Sequence, residues 1–147
     1  MINDIINLVK EHAGDFIESE TAIQPNQKQE AIETTANSLV EGLKNEVKLG
    51  NVGGLMGLLN NKEGIQGLLS NEVVINIMQH LSSALISKFN LDEGAASNIS
   101  SKIIPQVIDV LTKRINDPND NTFDVQKIMS SFGGMGSFGG MLGGFFK

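Results

Sequence analysis

The stretch that decides the fold reads EVVINIMQHLSSALISKF and spans residues 72–89. Its large apolar residues recur every three or four positions, which is the period of one face of an α-helix. These residues are Val74, Ile77, Met78, Leu81, Leu85 and Phe89. Asn71 stands directly before the stretch, and asparagine is a preferred N-cap residue. The pattern therefore predicts a strong amphipathic helix.

A second periodic stretch follows after a short break. Asn90 and Glu93 have the spacing of a capping box, which predicts that a helix begins there. The apolar stripe of this helix is Ile99, Ile103, Ile104, Val107, Ile108, Leu111 and Ile115. Pro105 lies inside the stripe and removes a backbone hydrogen bond. We therefore predict either a kink near Ser101–Pro105 or two abutting helices.

Two more helices are predicted upstream. Residues 2–18 form an amphipathic helix, and residues 27–48 form a longer one that Gly50 and Asn51 end. A connector that contains a proline separates them. The longer helix has a polar face and an apolar stripe. The stripe is Ile32, Thr35, Ala36, Leu39, Val40, Leu43 and Val47.

Residues 52–69 are rich in glycine and leucine and predict two short helices separated by Asn60 and Asn61. Gly53 and Gly57 lie one helical turn apart, so a neighbouring backbone can approach closely there. After a turn at residues 117–121, Thr122 is expected to cap a last short helix that ends near Phe132.

The predicted class is all-α: a compact bundle of six or seven helices, because no segment shows the alternation of a strand. We divide the chain into an N-terminal helix and connector (residues 1–24), a helical core domain (25–131) and a tail rich in Gly, Phe and Met (132–147). The central stripe positions are predicted to form the core. They are Leu39, Leu43, Ile77, Leu81, Ile104, Ile108 and Leu111.

Composition narrows the class of protein. The 147 residues carry a net charge of −6 and contain no cysteine, which removes disulfides and thiolate sites. Nine acidic residues and three lysines fall within residues 1–46, which disfavours nucleic-acid binding. Asp92 and Glu93 also place acids where a DNA-reading helix needs basic or amide side chains. The first residues lack a basic segment typical of a signal peptide, and we expect a cytoplasmic protein.

No constellation predicts catalysis, and we expect a protein that is not an enzyme. His12 and His80 are the only imidazoles, lie on different predicted helices and read as surface residues. Residues 117–128 resemble a calcium loop but have Thr122 and Ile128 where glycine and glutamate are required. No catalytic residue, cofactor or metal site is therefore expected.

The C-terminal tail repeats a large apolar residue followed by two small ones. Residues 129–146 carry no charge, but their seven glycines argue against a membrane span. A flexible linker would not place Phe or Met at every third residue, so we favour a docking strip. Its predicted contact residues are Phe132, Met135, Phe138, Met141, Leu142, Phe145 and Phe146.

Several segments together resemble the bacterial YidB-like proteins, a helical family of unknown function. The segments are Gln27–Ile32, Ser38–Asn45, Gly53–Leu59, Leu85–Leu91, Ile103–Pro105, Asn116–Asp120 and the glycine-rich end. The resemblance covers most of the chain from about residue 25 onward. It implies an all-helical fold in a bacterial protein and assigns no residue a role.

The leading hypothesis is a scaffold or interaction protein that self-associates, or docks a protein partner, through its terminal segments. The alternative is a peripheral membrane-surface protein that uses the first helix and the tail. The acidic polar face of that helix argues against anionic lipid. Whether the tail docks on its own chain or on another copy stays open at this point.

Overall fold

A computed structural model describes residues 2–119, apart from the side chains of Ile2 and Val52. Within this range the chain is a compact all-helical bundle without strands, as predicted. The helices are α1 (Ile2–Ser19), α2 (Lys28–Lys48), α3 (Val52–Leu59), α4 (Gly64–Leu69), α5 (Glu72–Phe89) and α6 (Glu93–Ile115), with a 3-10 turn at Pro25–Gln27. The predicted helix after Thr122 and the tail lie outside the described residues.

The four long helices enclose one hydrophobic core, and each of them packs mainly against two of the others. One side of α2 packs on α1 and another on α5, while α6 packs on α5 and α1. The predicted core positions are confirmed, because none of them exposes more than 4% of its surface. They are Leu39, Leu43, Ile77, Leu81, Ile104, Ile108 and Leu111.

The apolar face of α1 belongs to this core. Ile5, Val9, Ala13 and Ile17 are fully buried, and they form one cluster with side chains of the other long helices. Polar contacts reinforce the packing: the Lys28 ammonium donates to the carbonyl of Glu18. The predicted division after residue 24 stays a prediction, although this packing joins α1 to the rest of the bundle.

The contact between α2 and α5 is closest at Gly42. A Cβ atom added there would lie 2.6 Å from Cγ1 of Ile77, well inside van der Waals contact. A side chain of any size would push the two helices apart. Periodicity predicts that both helices have an apolar face but does not identify this close approach.

The predicted capping box at Asn90 is wrong. Asn90 has a left-handed backbone (φ 55°) and ends α5, with its N–H bonded to the carbonyl of Ile86. The N-cap of α6 is Asp92, which makes no side-chain capping bond. Asparagine tolerates the left-handed conformation, so it ends one helix instead of beginning the next.

Helix α6 runs without interruption through Pro105, so the alternative of two abutting helices is wrong. Pro105 is itself buried, and so are Ile103, Ile104 and Val107 around it. Core packing on both sides of the proline maintains the helix despite the lost backbone hydrogen bond.

Candidate interaction surface

The side chains predicted to make the contact lie outside the described residues. They are Phe132, Met135, Phe138, Met141, Leu142, Phe145 and Phe146. What the described residues do show is where apolar surface remains on the bundle.

Exposed apolar side chains are concentrated in and around the two short helices. In the described part of the chain, the exposed large apolar residues are Leu49 (72%), Met56 (38%), Ile65 (41%), Leu69 (45%) and Ile86 (37%). The first four of these lie between residues 49 and 69, and we call them the apolar region. Single exposed apolar residues are common, but neighbouring ones are typical of a contact surface, and Ile65 and Leu69 lie one turn apart on α4.

Helix α3 has one buried face and one open face. Leu55, Leu58 and Leu59 point into the bundle. Met56 and the glycines Gly53 and Gly57 lie on the exposed side, and no atom comes within 4 Å of where a Cβ of either glycine would be. Among the described residues no neighbouring backbone uses this space. The larger leucines occupy the inner side because they bury more apolar area.

Helix α4, like α3, has one buried side and one exposed side. Leu68 is fully buried, while Ile65 and Leu69, one turn apart, are exposed. The helix begins at Gly64, whose φ of 68° favours glycine. The amide of Asn61 donates to the carbonyl of Gly64 at 2.9 Å, which positions the turn between α3 and α4.

A buried carboxylate holds α3 in place. Glu46, on α2, is only 3% exposed. It accepts hydrogen bonds from the side-chain amides of Asn51 (2.7 Å) and Asn76 (2.9 Å). Asn51 also caps α3, because its Oδ1 accepts from the N–H of Gly54 at 3.1 Å. One residue of α2 thus fixes the start of α3 against α5.

The end of α6 lies beside the apolar region. The amide of Asn116 donates to the carbonyl of Leu59, the last residue of α3, at 3.0 Å. Helix α4 packs along α6, and Lys62 and Lys113 line a cleft of about 300 Å³ between them. The chain therefore continues toward its C-terminal tail from a point next to α3 and α4.

A second concave surface lies between α5 and α6. It has a volume of about 560 Å³, and its lining includes five serines. The hydroxyl of Ser82 donates to that of Ser100 at 2.9 Å, which joins the two helices. Glu93 is its only charged lining residue. The hydrogen bond between Ser82 and Ser100 stabilises the pair of helices α5 and α6. Sequence periodicity could not identify these two serines as partners.

The two histidines and the possible metal ligands can be placed on the described part of the chain. His12 and His80 are both exposed, as predicted. No group of three potential metal ligands occurs among residues 2–119. Among the same residues no helix is both long and apolar enough to cross a membrane.

Comparison with known proteins adds no assignment. No family model matches the chain, and neither a curated protein nor a solved structure matches it. Its likeness to the YidB-like proteins stays a prediction.

Proposed function

We propose that the chain is a non-enzymatic interaction protein that associates with itself through its C-terminal tail. The observation that carries the proposal is the concentration of exposed apolar side chains at residues 49–69, beside the end of α6. The bundle buries the apolar stripes of its long helices but leaves this region uncovered. The bacterial origin and the cytoplasmic location are part of the proposal and rest on the sequence alone.

The tail is apolar and almost uncharged, which is the composition that an exposed apolar surface would bind. It contains Phe132, Phe138, Phe145 and Phe146, and no charged residue between Lys127 and Lys147. Full burial of one phenylalanine side chain stabilises a contact by about 1.5–3 kcal/mol. Several such side chains are needed, because ordering a glycine-rich segment costs more conformational entropy than ordering other sequences.

Packing of α1 favours this proposal over a membrane-surface function. An interfacial helix needs its apolar face at the surface. Ile5, Val9 and Ile17 instead lie in the core of the bundle. Membrane binding by α1 would therefore require the helix to leave the bundle and expose these side chains.

The experiment compares the parent chain with a full-length variant that carries Phe138→Ser, Phe145→Ser and Phe146→Ser. We expect light scattering to give the parent a mass above the 15.8 kDa of one chain, and the variant a mass near it. Ile86→Ser is the matched control, since it removes an exposed apolar side chain elsewhere. This control should associate like the parent.

Thermal melting separates the remaining outcomes. A variant with the parent's mass and melting temperature would show that the tail is a linker and overturn the proposal. A variant with the parent's mass but a lower melting temperature would show that the tail docks on its own chain. That result would also overturn self-association through the tail.

A further inference from the structure

We propose that the tail of one copy docks on the apolar region of a second copy, so that two chains exchange their tails. This inference rests on the proposed function and names the surface that receives the tail. The surface consists of Leu49, Met56, Ile65 and Leu69.

The shape of α3 suits an apolar strip. Met56 stands on its exposed side between Gly53 and Gly57, where the surface is bare backbone with open space above it. A phenylalanine ring can contact backbone at such positions, because no Cβ holds it away. Helix α4 adds Ile65 and Leu69 from its own exposed side.

The same segment also occurs, in altered form, in the tail. Gly53–Leu59 reads GGLMGLL, and residues 139–146 read GGMLGGFF. Both segments begin with two glycines and then alternate pairs of large apolar residues with one or two further glycines. Two such segments can place the side chains of one over the glycines of the other, which is how small residues allow close packing.

The place where the last described helix ends is compatible with a closed pair of copies. Asn116 holds the end of α6 against the end of α3, so this helix ends beside α3. When the end of α6 and the apolar region lie side by side, two copies related by a twofold axis can each bind the other's tail. Both contacts then form at once, and the assembly closes at two chains. A tail that left the bundle at the end opposite the apolar region would favour an open, head-to-tail assembly instead.

The connecting segment is long enough for this exchange. Residues 120–131 separate the described part of the chain from Phe132. Twelve residues span at most about 40 Å when fully extended. That distance exceeds the length of α3 and α4 together, since an α-helix rises only about 1.5 Å per residue. The tail can therefore reach across a two-chain contact.

The contact should depend little on salt. No charged residue lies among residues 128–146, and none belongs to the apolar region. Screening weakens contacts between charges but leaves apolar burial largely unaffected. We expect the dissociation constant to change less than about threefold between 0.05 and 0.5 M NaCl, a salt range in which screening weakens contacts between exposed charges.

The test is a complementation experiment with two full-length variants. The tail variant carries Phe138→Ser, Phe145→Ser and Phe146→Ser and keeps the apolar region. The region variant carries Ile65→Asp and Leu69→Asp and keeps the tail. We expect each alone to have the mass of one chain at a concentration where the parent is mostly associated. An equal mixture should contain a two-chain species, because one intact tail then meets one intact region.

A matched control places the same two charges on neighbouring polar positions, one in α4 and one directly after it. Gln66→Asp with Ser70→Asp changes exposed residues beside Ile65 and Leu69. This control should associate like the parent. Melting temperatures of all variants report whether the bundle stays folded.

Each other outcome overturns a defined part of the account. If the region variant associates like the parent, the tail docks elsewhere and only this inference fails. If both variants are single chains and their mixture stays so, exchange through this region is wrong. If the parent itself is a single chain at every concentration, the proposed function fails as well.

Discussion

The α2–α5 contact and the apolar region use the same residue types in opposite ways. In α2, Gly42 lets Ile77 of α5 come within van der Waals distance of the backbone. In α3, Gly57 faces open space, although it also occupies a helical position beside large apolar residues. A glycine in a helix thus marks a close approach only where a partner helix is present. The open glycines of α3 mark a surface without a partner in the described part of the chain.

Leucines show the same contrast. Leu81 of α5 is fully buried, whereas Leu69 of α4 is 45% exposed. A change at Leu81 tests the core, and the same change at Leu69 tests the surface.

The largest effect is expected for Leu81→Asp. Burying an unpaired carboxylate in the core should destabilise the bundle by more than about 4 kcal/mol, enough to unfold a domain of ordinary stability. Far-UV circular dichroism should show loss of helix at 25 °C. Leu69→Asp is the control and should keep the parent's melting curve at a concentration where the chain is not associated. A folded Leu81→Asp protein with the parent's melting temperature would mean that the core face is misplaced.

A smaller loss is expected for Gly42→Ala. The new methyl group would lie 2.6 Å from Cγ1 of Ile77, so α2 and α5 must separate. Overpacking of this kind costs about 1–3 kcal/mol, and the better helix propensity of alanine offsets about 0.5–1 kcal/mol of that loss. Urea denaturation measures the change in unfolding free energy. Unchanged or increased stability would show that the two helices do not meet as closely as the structure indicates.

Asn51→Ala should destabilise the protein by about 1–2 kcal/mol, because α3 loses its N-cap and Glu46 loses a hydrogen-bond donor. The exposed Asn37→Ala, on the polar face of α2, is the control and should change stability by less than about 0.5 kcal/mol. Urea denaturation of the two variants gives the difference. Equal effects would show that the Glu46 hydrogen bonds do not fix α3.

The smallest effect has the opposite sign. Gly57→Ala places a methyl group in open space within a helix, so it should stabilise the bundle by about 0.5–1 kcal/mol. Thermal melting at a concentration where the chain is not associated measures this change in the stability of the bundle alone. A destabilised variant would reveal a close neighbour of α3 and remove the contrast with Gly42.

Sequence periodicity predicted the helices of the described part and the faces they bury. A continuous apolar stripe, such as the one from Ile32 to Val47 on α2, leaves only one side of the helix able to form a core. The prediction that these residues are buried is therefore confirmed. The two short helices and their separation at Asn60 and Asn61 were also correct.

Contacts between helices were not predictable from one helix at a time. The bond between Ser82 and Ser100 and the burial of Glu46 depend on which faces meet, and no periodicity contains that information. Asn90 was misassigned because asparagine suits both an N-cap and a left-handed C-cap. The predicted contact residues, Phe132 to Phe146, lie outside the described residues, so their role stays a prediction.

The most direct test of self-association is the molar mass of the parent chain beside that of a chain ending at Ser131. Light scattering should be run on both over a hundredfold range of concentration. We predict that the parent approaches twice the 15.8 kDa of one chain, while the shortened chain remains a folded single chain throughout. Equal behaviour of the two chains, either both single or both associated, would contradict the account.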